Sequence, residues 1–266
     1  MSTLPSPERP GVFIPYRHAA AVRPCAYPAL LPIFTAAEPE MLAALAATER
    51  HAAQLHLLAG PPPEPRFDQE WFPRLDAARA YATVHEQRPR RIVEIGSGHS
   101  TRFLARAIRD AASGTELHCI DPEPRADIRA LPLVHHPCRF EEMAVTEIAA
   151  LLGPGDLLFV DSSHLLLPGG DVDRIVNDLL PRLPPGVLLH VHDIFLPDPY
   201  PEHWAWRGYA EQSLIAALLH GGGWRLLWSS HWLATRRQER VAAGPLAALS
   251  LRDGVPETSL WLVRRA

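Results

Sequence analysis

The stretch VEIGSGHST, residues 93–101, reads as a strand that breaks into a glycine turn and restarts as a helix. Turns of this kind hold nucleotides, because the helix start offers free backbone N–H groups. A dinucleotide fingerprint needs glycine at three positions, G-x-G-x-x-G. Gly96 and Gly98 fill two of them, and Thr101 occupies the third. Without that third glycine the helix cannot pack as a pyrophosphate site requires, which counts against NAD. A P-loop is excluded as well, because there is no G-K-[ST]. All 26 basic residues are arginine. The absence of lysine also removes a Schiff-base amine and a lysine general base. Basic catalysis must come from His, Asp or Glu.

Outward from the turn, strands and helices alternate. Short apolar strands are predicted at 91–96, 116–121, 131–137 (after a short helix), 156–161 and 186–193. Helices are predicted at 100–112, capped by Ser100, at 141–152, and at 171–183, capped by Asp171. Nearly continuous apolar strands in a β-α-β-α series imply a parallel sheet covered on both faces. After a helix near 208–220, residues 223–235 and 258–266 read as two strands without a strong helix between them, an antiparallel pair at one sheet edge. Before the sheet, residues 1 to about 38 are proline-rich and read as irregular. Helices are predicted over 39–59, with Leu42, Leu45, Leu55 and Leu58 at helical spacing, and over 72–87.

The totals narrow the class. A chain of 266 residues with 47% hydrophobic content can bury a sizeable α/β core. The net charge of −4 offers no global basic field for nucleic acid or an anionic membrane. Cys25, Cys119 and Cys138 are far apart and form no C-x-x-C, so a reducing cytoplasm is expected, without a disulfide framework. The first residues lack the pattern of a signal peptide, and no apolar run approaches the roughly 18 residues of a membrane span.

Two acids give the turn its meaning. Glu94 would repel a pyrophosphate and suit a cationic amino group or sulfonium. Asp121 closes the second strand, where an acid can take both ribose hydroxyls. E-x-G-x-G followed by a strand-ending Asp asks for adenosine plus an amino acid, without phosphates.

VEIGSGHST, CID, DLLFVDSSH and HDIFLPDPYP together resemble the class I S-adenosylmethionine-dependent methyltransferases, over roughly residues 68–266. The resemblance implies a Rossmann-like, doubly wound seven-stranded sheet with a C-terminal antiparallel hairpin. It leaves 1–67 as an N-terminal helical extension, a lid or a dimer contact, so a homo-oligomer is open. It implies that Glu94, Gly96, Ser97 and Gly98 line the methionine part of the cofactor, with Ser100 and Asp161 beside them. Asp121 would hold the ribose, and Glu141 or Glu142 would lie near the adenine.

A second constellation is DSSH (161–164) and HVHD (190–193), each closing a strand. If those strands are neighbours, their ends lie about 4.8 Å apart. Asp161, His192 and Asp193 would converge, with His164 close enough to join them. Acids and a histidine on adjacent strand ends suggest a divalent metal. The cluster resembles that of catechol and macrolide-sugar O-methyltransferases, with His192 where those have a carboxylate; the nitrogen shifts the expected ion from Mg toward Mn, Fe or Zn. In the metal-free alternative, His164 or His192 is a general base oriented by an aspartate. His190 points to the opposite strand face and reads as a core residue. Tyr200, His203 and Trp204, in a proline-rich segment, are candidates for acceptor contact. The expected function is methyl transfer to a small-molecule acceptor, at oxygen, with a divalent metal. The rivals are a metal-dependent hydrolase or lyase and a non-catalytic cofactor-binding module.

Overall fold

Residues 16–266 are described by a computed structural model. Of the irregular start expected for 1 to about 38, residues 1–15 lie outside the described residues. A helix already begins within the rest, at Leu31. Helix α1 spans Leu31–Glu49, with Pro39 inside it, and α2 spans Ala52–His56. The single helix expected over 39–59 is therefore two. The stretch Pro28–Glu49 is long and apolar enough, by length and composition, to cross a membrane, which corrects the expectation that no run approaches that length. Here Phe34, Met41 and Leu45 of this helix are fully buried in the core. Phe34 packs 5.4 Å from Trp232, whose Nε1 donates to Glu38.

Helix α3 (Arg74–Gln87) leads into strand β1 (Arg91–Ile95), and α4 (His99–Ala111) follows the turn. Then come β2 (Glu116–Ile120), β3 (Val134–His136), α5 (Val145–Leu151) and β4 (Leu157–Val160). Helices α6 (Asp171–Arg174) and α7 (Leu180–Arg182) flank a π turn at Ile175–Leu179 and precede β5 (Leu188–Val191). The last part holds α8 (Glu211–His220), β6 (Trp224–Ser229), α9 (Ser230–Arg236), α10 (Gln238–Ala242) and β7 (Leu260–Arg264).

One seven-stranded sheet runs β3-β2-β1-β4-β5-β7-β6. Strands β1 to β5 pair in parallel, and β7 is antiparallel to both β5 and β6. This is the Rossmann-like doubly wound sheet. Its parallel centre is apolar because both faces are covered: every residue of β4 is buried. The strand order reverses between β1 and β4, which opens a crevice at their carboxyl ends.

Several boundaries differ from the sequence reading. The strand expected over 131–137 is only Val134–His136, and the residues before it form no helix. The strand expected over 223–235 stops at Ser229, whose Oγ accepts from the Trp232 N–H and caps α9. Helices α9 and α10 then separate β6 from β7, so the terminal pair is antiparallel but joined by a helical excursion rather than a tight turn. Asp171 is the first residue of α6, while Gly170 holds the cap position.

Candidate functional site

The glycine turn is built around a close approach of two backbones. Gly96 has φ +81°, and a Cβ there would lie 1.9 Å from the Asp161 carbonyl oxygen at the end of β4. The Asp161 N–H donates to Ile95 O at 2.9 Å. The turn after β1 and the acid after β4 are thus held as one unit. The cap position of α4 is Gly98, not Ser100. The Gly98 N–H donates to Thr101 Oγ1 (2.8 Å), which in turn donates to Glu94 Oε2 (2.6 Å). Ser100 Oγ donates to Glu94 Oε1 (2.7 Å), and Cys119 Sγ donates to Glu94 Oε2 (3.2 Å).

Glu94 is fully buried and does not reach the cavity. Burial pushes its carboxyl up to about 7, against the pull of its three donors. Its role corrects the expected direct contact with a cofactor: it ties the turn to α4 from behind. Ser100 borders the cavity but spends its hydroxyl on Glu94.

A cavity of about 580 Å³ lies over the crevice. Gly96, Ser97, Gly98, Asp121 and Glu141 line one end. The Asp121 carboxylate is oriented by two backbone donors, Ser97 N–H to Oδ2 (2.6 Å) and Glu123 N–H to Oδ1 (2.8 Å). Of the two acids considered after β3, Glu141 faces the cavity, and Glu142 pairs with Arg139 at 2.8 Å instead. The Ser162 hydroxyl, also on the cavity wall, is buried without a hydrogen-bond partner.

The other end of the cavity brings together Asp161, His164, His192 and Asp193. His192 follows β5, beside β4, and its N–H donates to Val160 O at 2.9 Å. His164 (φ +60°) and Asp193 (φ +53°) adopt left-handed backbone that costs a non-glycine residue energy. Asp161 Oδ1 lies 3.3 Å from His164 Nε2 and 3.3 Å from His192 Nδ1. Asp193 lies 3.6 Å from His164 Nε2 and 3.7 Å from His192 Nδ1.

Behind each histidine stands a further buried carboxylate that the sequence reading missed. Glu211 Oε2 is 2.9 Å from His164 Nδ1, and Asp76 Oδ2 is 3.1 Å from His192 Nε2. Asp76, on α3, also accepts from the Thr258 and Ser259 N–H groups at 2.9 and 3.0 Å. Burial alone would favour neutral imidazoles, but the surrounding carboxylates outweigh it and raise both histidines well above the ordinary value. For Asp161 burial acts upward, yet the two histidines hold its carboxyl far below the usual range. His190 sits in the core, stacked 3.7 Å from Phe159 and bonded to Ser259 Oγ at 2.8 Å.

Among the described residues no group of three or more His, Cys, Asp and Glu side chains is arranged to hold a metal ion. Asp161, His192 and Asp193 are of suitable donor chemistry, but as placed they do not form a metal cage.

The acceptor residues expected from sequence divide. Trp204 lines the cavity; His203 is exposed and does not. Tyr200 is buried away from it, with its hydroxyl accepting from the Gln212 N–H at 3.3 Å. Two neighbours missed by the sequence reading, Arg207 and Tyr209, complete the wall. The density of aromatics in EHWAWRGY was the available signal. Asp76 and Glu211 gave none, since each is an ordinary acid in the first turn of a helix, where acids are common.

A family model described as a methyltransferase domain matches residues 93–194. No curated protein matches. Among solved structures, similarity extends to the Podospora anserina methyltransferase PaMTH1 bound to S-adenosylhomocysteine. The identity is 18%, over 83% of this chain and 88% of that one, with a TM-score of 0.44. An O-methyltransferase from Bacillus cereus, also in complex with S-adenosylhomocysteine, is 12% identical over 85% of this chain and 91% of that one, with a TM-score of 0.45. The MycE methyltransferase of the mycinamycin biosynthetic pathway, in complex with Mg and S-adenosylhomocysteine, is 16% identical. It covers 82% of this chain and 54% of that one, with a TM-score of 0.42.

Proposed function

We propose that this chain is a methyltransferase that moves the methyl group of S-adenosylmethionine to a hydroxyl of a small-molecule acceptor, and that its histidine–aspartate cluster takes the acceptor's proton. The observation that carries the reading is one cavity joining the glycine turn and Asp121 to Asp161, His164, His192 and Asp193. When bound, S-adenosylmethionine supplies an electrophilic methyl group on a sulfonium centre.

The residues at the turn suit that ligand. Each Asp121 oxygen already accepts one backbone N–H and keeps a lone pair for a ribose hydroxyl. The unpaired Ser162 hydroxyl calls for a polar ligand atom. Glu141 is assigned toward the adenine. Asp121→Ala is expected to weaken S-adenosylhomocysteine binding roughly 10–100-fold, the worth of hydrogen bonds to a charged group. Calorimetric titration checks this, and a wild-type protein that does not bind S-adenosylhomocysteine would sink the proposal.

At the other end, His164 Nε2 and His192 Nδ1 face carboxylate oxygens. A ring lone pair directed at a carboxylate is repulsive unless a proton or another cation lies between them. At neutral pH the imidazolium proton fills that place. At higher pH a neutral histidine can accept the acceptor's O–H proton, with Asp161 and Asp193 stabilising the cation that forms. Asp76 and Glu211 hold the far ring nitrogens and so fix each ring's orientation.

A second reading places a divalent metal on Asp161, His192 and Asp193. It is favoured by the carboxylate behind each histidine, the usual support of metal-ligating imidazoles. Chelation followed by add-back of Mg, Mn, Fe or Zn separates the two readings. The base reading expects activity and thermal midpoint to be unchanged. The metal reading expects loss of both, restored by one ion, with Asp161→Asn unresponsive.

A further inference from the structure

We infer that the acceptor carries an anionic oxyanion group, a carboxylate or phosphate, and that Arg207 is its specificity-determining partner; this rests on the methyl-transfer reading of the same cavity. Three arginines line the cavity. Arg139 is neutralised by Glu142 at 2.8 Å. Arg125 lies 4.0 Å over Trp71, beside the cofactor end, where its N–H also donates to Ser97 O. Among the described residues neither Arg125 nor Arg207 has a carboxylate within ion-pair distance; Arg207 is the one on the acceptor side, bonded to Tyr209, whose ring lies against His164.

What surrounds Arg207 is aromatic. Its guanidinium lies 4.2 Å over Trp204 and 5.4 Å over both Trp206 and Tyr209. Its Nη1 donates to the Tyr209 hydroxyl at 3.1 Å, and its Nε is buried with no partner. A buried N–H without an acceptor costs free energy that a ligand oxygen can recover. A guanidinium walled in by aromatic rings keeps its remaining N–H edge as a fork, which matches a carboxylate or phosphate in a bidentate way.

The position is fixed relative to the proton-accepting cluster. The turn Glu202–Arg207 ends on Gly208, and His164 O accepts from the N–H groups of Ala210 and Glu211 at 3.0 and 3.3 Å. The Tyr209 ring lies 4.7 Å from the His164 ring. Tyr209 thus links Arg207 to His164, one of the two histidines of the proton-accepting cluster.

The test uses the full chain saturated with S-adenosylhomocysteine, whose own binding is measured first, so that failure of the cofactor reading is seen separately. Benzoate, phenyl phosphate and benzyl alcohol are then titrated by calorimetry or ligand-observed NMR. At least one anion is expected to bind roughly tenfold or more tighter than the neutral alcohol, as one charge-assisted pair would give. Which anion wins distinguishes carboxylate from phosphate. Arg207→Gln should bring all three probes within about twofold of each other, while S-adenosylhomocysteine still binds as evidence of folding. Equal binding of the alcohol, no binding of either anion, or loss of the preference in Arg125→Gln but not in Arg207→Gln would each overturn the assignment.

Discussion

Gly96→Ala is expected to destabilise the protein by about 3–5 kcal/mol, combining left-handed strain with overpacking. The new methyl would sit 1.9 Å from the Asp161 carbonyl oxygen, and that atom is backbone locked to Ile95 by a hydrogen bond. Neither strand can retreat without breaking the β1–β4 pairing. The same shift would displace Asp161 from both histidines, so cofactor binding and turnover should fall together. Gly114→Ala is the control. Gly114 also has positive φ, +65°, but nothing lies within 4 Å of its added methyl. It should cost only about 1 kcal/mol, the backbone strain alone. Urea denaturation of both variants measures the difference. A Gly96→Ala protein within 1 kcal/mol of wild type, or no worse than Gly114→Ala, would refute the close-approach argument.

Asp161→Asn is expected to lower kcat/KM by about 10³-fold, within the range of a lost acid–base partner, and to move the acid limb of the pH profile. The sign follows from the histidine shifts. Burial pulls His164 and His192 down, but the carboxylates raise both well above the ordinary value, so at neutral pH they carry protons. A protonated imidazole cannot act as base. Wild-type kcat/KM should therefore climb as pH rises past neutrality, through the raised value. Removing the Asp161 charge removes a leading cause of that elevation in both rings. The residual activity of Asp161→Asn should then begin its rise at lower pH. Initial rates across pH 6–10 at saturating cofactor decide the matter. A flat wild-type profile, or a variant limb displaced to higher pH, is incompatible with a histidine base held by Asp161.

The sequence alone determined the sheet and its switch point. Apolar strands too short to be helices, glycines after the first and acids after the second and fourth specify which strand ends carry chemistry, because these signals are local. VEIGSGHST, CID, DSSH and HVHD marked Gly96, Asp121, Asp161 and His192 as strand-end residues, and the neighbouring order of β4 and β5, which the resemblance implied, brings them to one cavity. Boundaries such as the stop at Ser229 were less legible, since one capping hydroxyl outweighed the apolar run that continues past it.

Tertiary structure alone decided what each acid does. Glu94 looks outward in the sequence, yet two hydroxyls and a thiol turn it inward, because its side of β1 faces α4 and β2 rather than the crevice. Asp76 and Glu211 lie 116 and 47 residues from the histidines they hold. No spacing rule reaches that far; only the docking of α3 and α8 against the strand ends brings them in. The same holds for Arg207. Its lack of a carboxylate partner is a property of the assembled wall, created when the aromatic turn folds over the cavity and surrounds this guanidinium with rings instead of acids.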